Sequence, residues 1–138
     1  MLLAEPRQQR GVLNMIDAAD ALADYRRRHP GAPPAPDGRL YRQHAPELIR
    51  CTVRPIIAEA WLQPHFYTPQ AKAILLEISA RYAAVMEAGA WEDRGDDDPV
   101  VVHATANRAG RMVWNGAHRL GAVIIRGRPF DLPIRFCR

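Results

Sequence analysis

The sequence predicts an α+β fold, and three observations carry the prediction. Ile49, Cys51 and Val53 alternate with Arg50, Thr52 and Arg54, the period of a strand with one wet face. Between Pro69 and Met86 the apolar residues Ile74, Leu75, Ile78, Tyr82, Val85 and Met86 recur at helical spacing. Further along, a strand at Arg111-Met112-Val113-Trp114 runs through Asn115-Gly116 into a segment where Leu120, Val123 and Ile124 again recur at helical spacing.

Taken in chain order, Val12, Leu13, Met15, Ile16, Ala19, Leu22 and Ala23 predict an amphipathic helix. Arg26-Arg27-Arg28 stand at its C-terminal end, where cations suit the dipole, and His29-Pro30-Gly31 stops it. The proline-rich run from Gly31 to Gly38 suits neither helix nor sheet. Residues 1–45 therefore read as an arm and linker, and 46–138 as the folded domain. After the strand at 49–53, Pro55 fits the first position of a short helix through Leu62. Thr68 is a good N-cap with Pro69 following, and Gly89 ends the long helix. An acidic loop from Asp93 to Asp98 precedes a buried strand at Pro99 to His103, and Ala104 to Gly110 form another loop.

Composition sets outer limits. A chain of 138 residues, 48% hydrophobic and 25% charged, fits one globular core. No apolar run reaches the length of a membrane span, and the first residues lack the apolar stretch of a secretory signal, so a cytoplasmic location without membrane contact is expected. The two cysteines, Cys51 and Cys137, fall in apparent strands and read as reduced, partly buried thiols. The net charge of +4 conceals an asymmetry: from Val101 onward there are seven arginines against the single acid Asp131. Such a segment favours an anionic partner, although a solvated arginine face gives the same composition.

The chemistry is expected at Asn115-Gly116-Ala117-His118-Arg119. Asn115 fits an N-cap, which puts His118 and Arg119 in the first turn of the following helix, the end where positive charge is unfavourable by about 0.3 to 1 kcal/mol per group. An anion docked on the turn reverses that sign: it takes the backbone N–H groups and a bidentate contact from Arg119, and Gly116 permits close approach. The alternative is a plain turn with Arg119 in solvent and His118 half-buried.

The run from Asn115 to Val123 resembles the "[DN]GQHRL-A-[VI]" element of the ParB/sulfiredoxin superfamily. Arg81 to Trp91 resembles the "YA-x-DM-x-x-G-x-W" stretch of the same proteins, and Asp98 to Val102 stands where they carry a "dPIvf" strand. The resemblance covers about residues 50 to 138. It implies a compact α+β domain with a mixed sheet, whose Gly-x-His-Arg turn holds the phosphates of a nucleoside triphosphate, CTP or ATP, with Mg²⁺ as a further candidate. Residue by residue, Gly116, His118 and Arg119 match the phosphate-binding turn, with Asn115 and Ala117 lining it, while His65, Trp91 and Trp114 are candidate pocket residues. Superfamily members include sulfiredoxins, CTP-hydrolysing partition proteins that clamp DNA, and kinases of free serine. Ala117 stands where sulfiredoxins place their reactive cysteine, which argues against sulfinic acid reduction.

The residues leave two classes open. One is a nucleotide-dependent binding module or slow NTPase, with phosphoryl transfer to a small molecule as its catalytic variant. The other is a DNA-binding or protein-binding accessory, with the N-terminal helix as a homodimer surface. No general base can be named, and no structural metal is expected. Asp96-Asp97-Asp98 reads as a solvated loop before it reads as a Mg²⁺ ligand, and His65 as a surface histidine before a phosphate contact.

Overall fold

The computed structural model describes residues 15–30, 46–91, 98–105 and 110–137. It is α+β, with four α-helices and a five-stranded mixed sheet among the described residues. In chain order these are β1 (Ile16–Asp17), α1 (Ala18–Arg28), β2 (Glu47–Val53), α2 (Pro55–Leu62), α3 (Pro69–Glu87), β3 (Val100–His103), β4 (Val113–Asn115), α4 (Ala117–Arg126) and β5 (Phe130–Cys137).

The strand order is β1-β2-β5-β3-β4. The last strand thus lies at the centre, antiparallel to β2 and parallel to β3. Period-two alternation divides β5 cleanly: Leu132, Ile134 and Phe136 point to the helical core, and Cys51 and Ile49 pair with Leu132 and Ile134 in register. Cys137, an odd number of residues from Leu132, faces the opposite side. The two buried thiols therefore sit on opposite faces of the sheet, where no disulfide can join them. Burial pushes the Cys51 thiol up to about 12 and the Cys137 thiol up to about 11.

Phe136 shows how the layers meet. Tyr25 of α1 stacks on it at 6.0 Å and Trp61 of α2 meets it edge-on at 6.4 Å. This revises the reading of the N-terminal helix as an arm. Its described part, α1, buries Ala18, Ala21, Leu22 and Tyr25 in the same core as the sheet, and β1 just before it pairs with β2. Arg54 also clasps Asp17 at 3.1 Å, and Arg28 reaches Glu47 at 2.6 Å. The apolar face expected to serve a homodimer is spent within the chain. The linker at 31–45 and residues 1–14 lie outside the described residues.

Local signals for α2 and α3 are met. Pro55 opens α2, and the Thr68 hydroxyl accepts from the Ala71 N–H at 3.0 Å. The face that α3 buries is rotated from the expected stripe: Leu75, Ser79, Ala83 and Met86 are buried, whereas Ile74, Ile78, Tyr82 and Val85 are exposed. The reason lies in α4, which crosses α3 at Gly121. A Cβ at Gly121 would stand 2.1 Å from Ser79 Oγ and 3.0 Å from a Leu75 methyl. Small residues on α3 must face that crossing, so Ser79 and Ala83 turn inward at the expense of larger neighbours.

Candidate functional site

β4 and α4 form the expected strand-turn-helix, with one displacement. The N-cap is Gly116, not Asn115, and Asn115 ends the strand. Gly116 sits at φ +93°, in the left-handed region, and a Cβ there would stand 2.7 Å from a Val100 methyl. Both facts require glycine. Because glycine has no side chain, no side-chain oxygen caps α4. Leu120 makes the first backbone bond of the helix, to the Gly116 carbonyl at 3.0 Å. The amides of Ala117, His118 and Arg119 precede it and point out of the helix end, as in any helix N-terminus.

Asn115 and Arg119 face the other way, into the entry of β3. The Asn115 amide donates to the Asp98 carboxylate at 2.8 Å and to the Pro99 carbonyl at 2.9 Å. Arg119 is buried. Its guanidinium donates to the Asp98 carbonyl at 2.6 Å and the Pro99 carbonyl at 3.3 Å, and lies 3.5 Å from the Asp98 carboxylate. A buried guanidinium must place its donors on acceptors, and the carbonyls before β3 lie within its reach. These are guanidinium nitrogens that the expected bidentate contact to an anion would use, and they serve protein acceptors. Here Arg119 fastens Asp98 and Pro99 to the turn, and Asp98 is committed to that clasp. Asp96 and Asp97 lie outside the described residues.

The outward side of the turn gathers other groups. His65, at the end of the 3₁₀ turn Gln63–His65, lies near Arg111 and His118. Burial holds the His65 imidazole below its ordinary value, and the positive charges of Arg111 and His118 act in the same direction. A hydrogen bond to the Val113 backbone opposes them. Its Nε2 atom is shielded from solvent and lacks a hydrogen-bond partner. Arg111 and His118, from two other segments, thus both act on His65, and His118 stands in the first turn of α4.

On the opposite flank stands an aromatic chain. The His118 ring lies 6.0 Å from Tyr82 of α3, and Tyr82 lies 5.9 Å from Trp91. Trp91 also meets Phe130 edge-on and packs with Ala83, Met86 and Ala122, so it supports the α3–α4 interface. Trp114 is 48% exposed on β4. Of the residues expected from sequence, His65 and His118 lie near one another, Ala117 packs against the core and Gly116 abuts Val100, while Asn115 and Arg119 brace the turn against the entry of β3. Arg111 and Tyr82 went unrecognised, the first submerged in the arginine surplus and the second in the α3 stripe.

That surplus is partly spent internally. Arg126 bonds Glu87 at 3.1 Å and lies over the Phe130 ring, and Arg128 also pairs with Glu87. With Arg119 on Asp98, three of the seven arginines answer acids from earlier in the chain. No group of three metal-ligating side chains occurs among the described residues, and no described helix is long and apolar enough to cross a membrane. Compared with known proteins, the chain matches no family model, no curated protein and no solved structure.

Proposed function

We propose that the outward side of the 115–119 turn binds the phosphates of a nucleoside triphosphate, within a domain of the ParB/sulfiredoxin type. One observation carries the reading: the unpartnered Nε2 of His65 stands beside Arg111 and His118 at the uncapped N-terminus of α4. A phosphate oxygen there would receive the amides of Ala117 and His118 and donors from the three side chains, in the positive field of the helix end. Gly116 lets the turn close against Val100 of β3. Arg119 is a positioning residue: it holds the strand entry against the turn and so fixes the direction of the amides.

CTP and ATP are the ligands the resemblance implies, with Mg²⁺ carried on the phosphates. The turn's donor set suits charge neutralisation. The acid that reaches the turn among the described residues, Asp98, is occupied by Asn115 and Arg119, which favours a nucleotide-dependent binding module or slow NTPase over a fast phosphoryl-transfer enzyme. The turning of Arg119, Arg126 and Arg128 toward acids likewise weighs against DNA as the first partner.

Isothermal titration with CTP, ATP, GTP and UTP, with and without Mg²⁺, tests the reading on the wild type and on His118→Ala and Arg111→Ala. Saturable binding of at least one nucleotide, weakened tenfold or more in both variants, is expected, as for loss of a charge-assisted contact of about 1.4 kcal/mol or more. Absence of binding by all four, or variants that bind like the wild type, would sink it.

A further inference from the structure

Among the described residues, nothing packs on one face of α3. Ile74, Ile78 and Val85 are 59%, 36% and 41% exposed, and at helical pitch they fall within about 40° of one another around the axis. Tyr82, 36% exposed, borders this stripe on the side of α4. Glu77 and Arg81, both exposed, border it on the other side. Four large apolar side chains in a row on one exposed helix face form a continuous patch of the kind that marks an interaction site.

The charges on the outer border identify the occupant. We propose that this face binds the same face of a second copy of the chain, with the two α3 helices antiparallel about a two-fold axis near Ser79 and Ala80. Such an axis sets Ile74 of each copy opposite Val85 of the other and Ile78 opposite the stretch around Arg81 and Tyr82. A two-fold axis perpendicular to both helices keeps each border on its own side, so the border bearing Glu77 and Arg81 meets itself in reverse. Glu77 of each copy then comes within one residue of Arg81 of the other, and two symmetry-related Glu–Arg pairs line that border of the apolar centre. Parallel pairing, whose two-fold axis runs along the helices, would set that border against the Tyr82 border of the other copy, where α3 offers no charge to answer it. The interface is therefore self-complementary in both apolar pattern and charge, and it does not rest on the nucleotide reading, although Tyr82 places its edge beside His118.

Sedimentation of the full-length protein over a range of micromolar concentrations tests the proposal. The wild type is expected to show a monomer–dimer equilibrium. Ile78→Asp, which would bury a carboxylate at the centre, should weaken it about a hundredfold without changing the circular dichroism spectrum. Glu77→Arg should weaken it several-fold, and the double variant Glu77→Arg with Arg81→Glu should recover the wild-type constant. A wild type that stays monomeric, or a dimer indifferent to Ile78→Asp and Ile74→Asp, overturns the proposal. Failure of the double variant to recover overturns the antiparallel pairing and the proposal with it. If Ile78→Asp does not fold, the charge variants on the exposed border still decide the matter.

Discussion

Replacing Arg119 with alanine separates the two roles open to this residue. If it served only as an outward phosphate contact, the variant would lose ligand and keep its stability. In the structure its guanidinium is buried and donates to the Asp98 carbonyl at 2.6 Å, a charge-assisted bond that contributes roughly 1.5 to 3 kcal/mol. The Pro99 contact adds little, because the longer bond at 3.3 Å is lost while Asn115 still serves that carbonyl at 2.9 Å. The ion pair with Asp98, whose side chain is 46% exposed, adds less than about 1 kcal/mol. The expected destabilisation is therefore about 2 to 3 kcal/mol, read as a lower denaturant midpoint at constant slope. For a chain of this size it corresponds to a fall in Tm of very roughly 6 to 12 °C. Loss of nucleotide binding should appear as a consequence of the loosened turn, and Arg119→Lys should recover part of the stability. An alanine variant as stable as the wild type would refute the assignment of Arg119 as a brace.

Three further outcomes follow from the geometry. Gly121→Ala gains about 1 kcal/mol in helix propensity but forces a methyl 2.1 Å from buried Ser79 Oγ; overpacking of about 1 to 3 kcal/mol outweighs the gain, so net destabilisation is expected in urea unfolding, partly relieved by adding Ser79→Ala. Because His65 lies below its ordinary value of 6.5 in the folded chain, its effect on stability is fully favourable above that value and is lost as pH falls from there through the folded pKa; His65→Gln should flatten that part of the pH–stability profile, and an unchanged profile would contradict the burial of His65 beside Arg111 and His118. Bound phosphate would push the same group upward, so nucleotide affinity should rise as pH falls toward the lowered pKa of the free protein, and lose that rise in His65→Gln. Cys51 and Cys137 should resist iodoacetamide at neutral pH until the chain is unfolded, since both are buried and carry raised thiol pKa values; rapid native-state alkylation of either would contradict their placement.

Local chemistry was legible in the residues themselves. Thr68 and Pro69 start α3, Pro55 starts α2, the 49–53 alternation makes β2, and Gly116 between Val113 and Leu120 makes the strand-turn-helix. Each depends on neighbours within a few positions, which is the range over which caps, turns and periodicity act. Only tertiary structure decided which side of each element does what. Arg119 turns inward because carbonyls at the start of β3, about twenty residues earlier, lie within reach of a buried guanidinium. Asp98 becomes an acceptor for the same reason, and His65 joins the turn because the end of its short 3₁₀ segment comes to rest beside Arg111 and Val113. The α3 stripe is split between core and surface by Gly121, whose missing Cβ admits Ser79 and leaves Ile74, Ile78 and Val85 outside. Helical period tells that a face is apolar; the partner that comes closest determines which part of that face is buried.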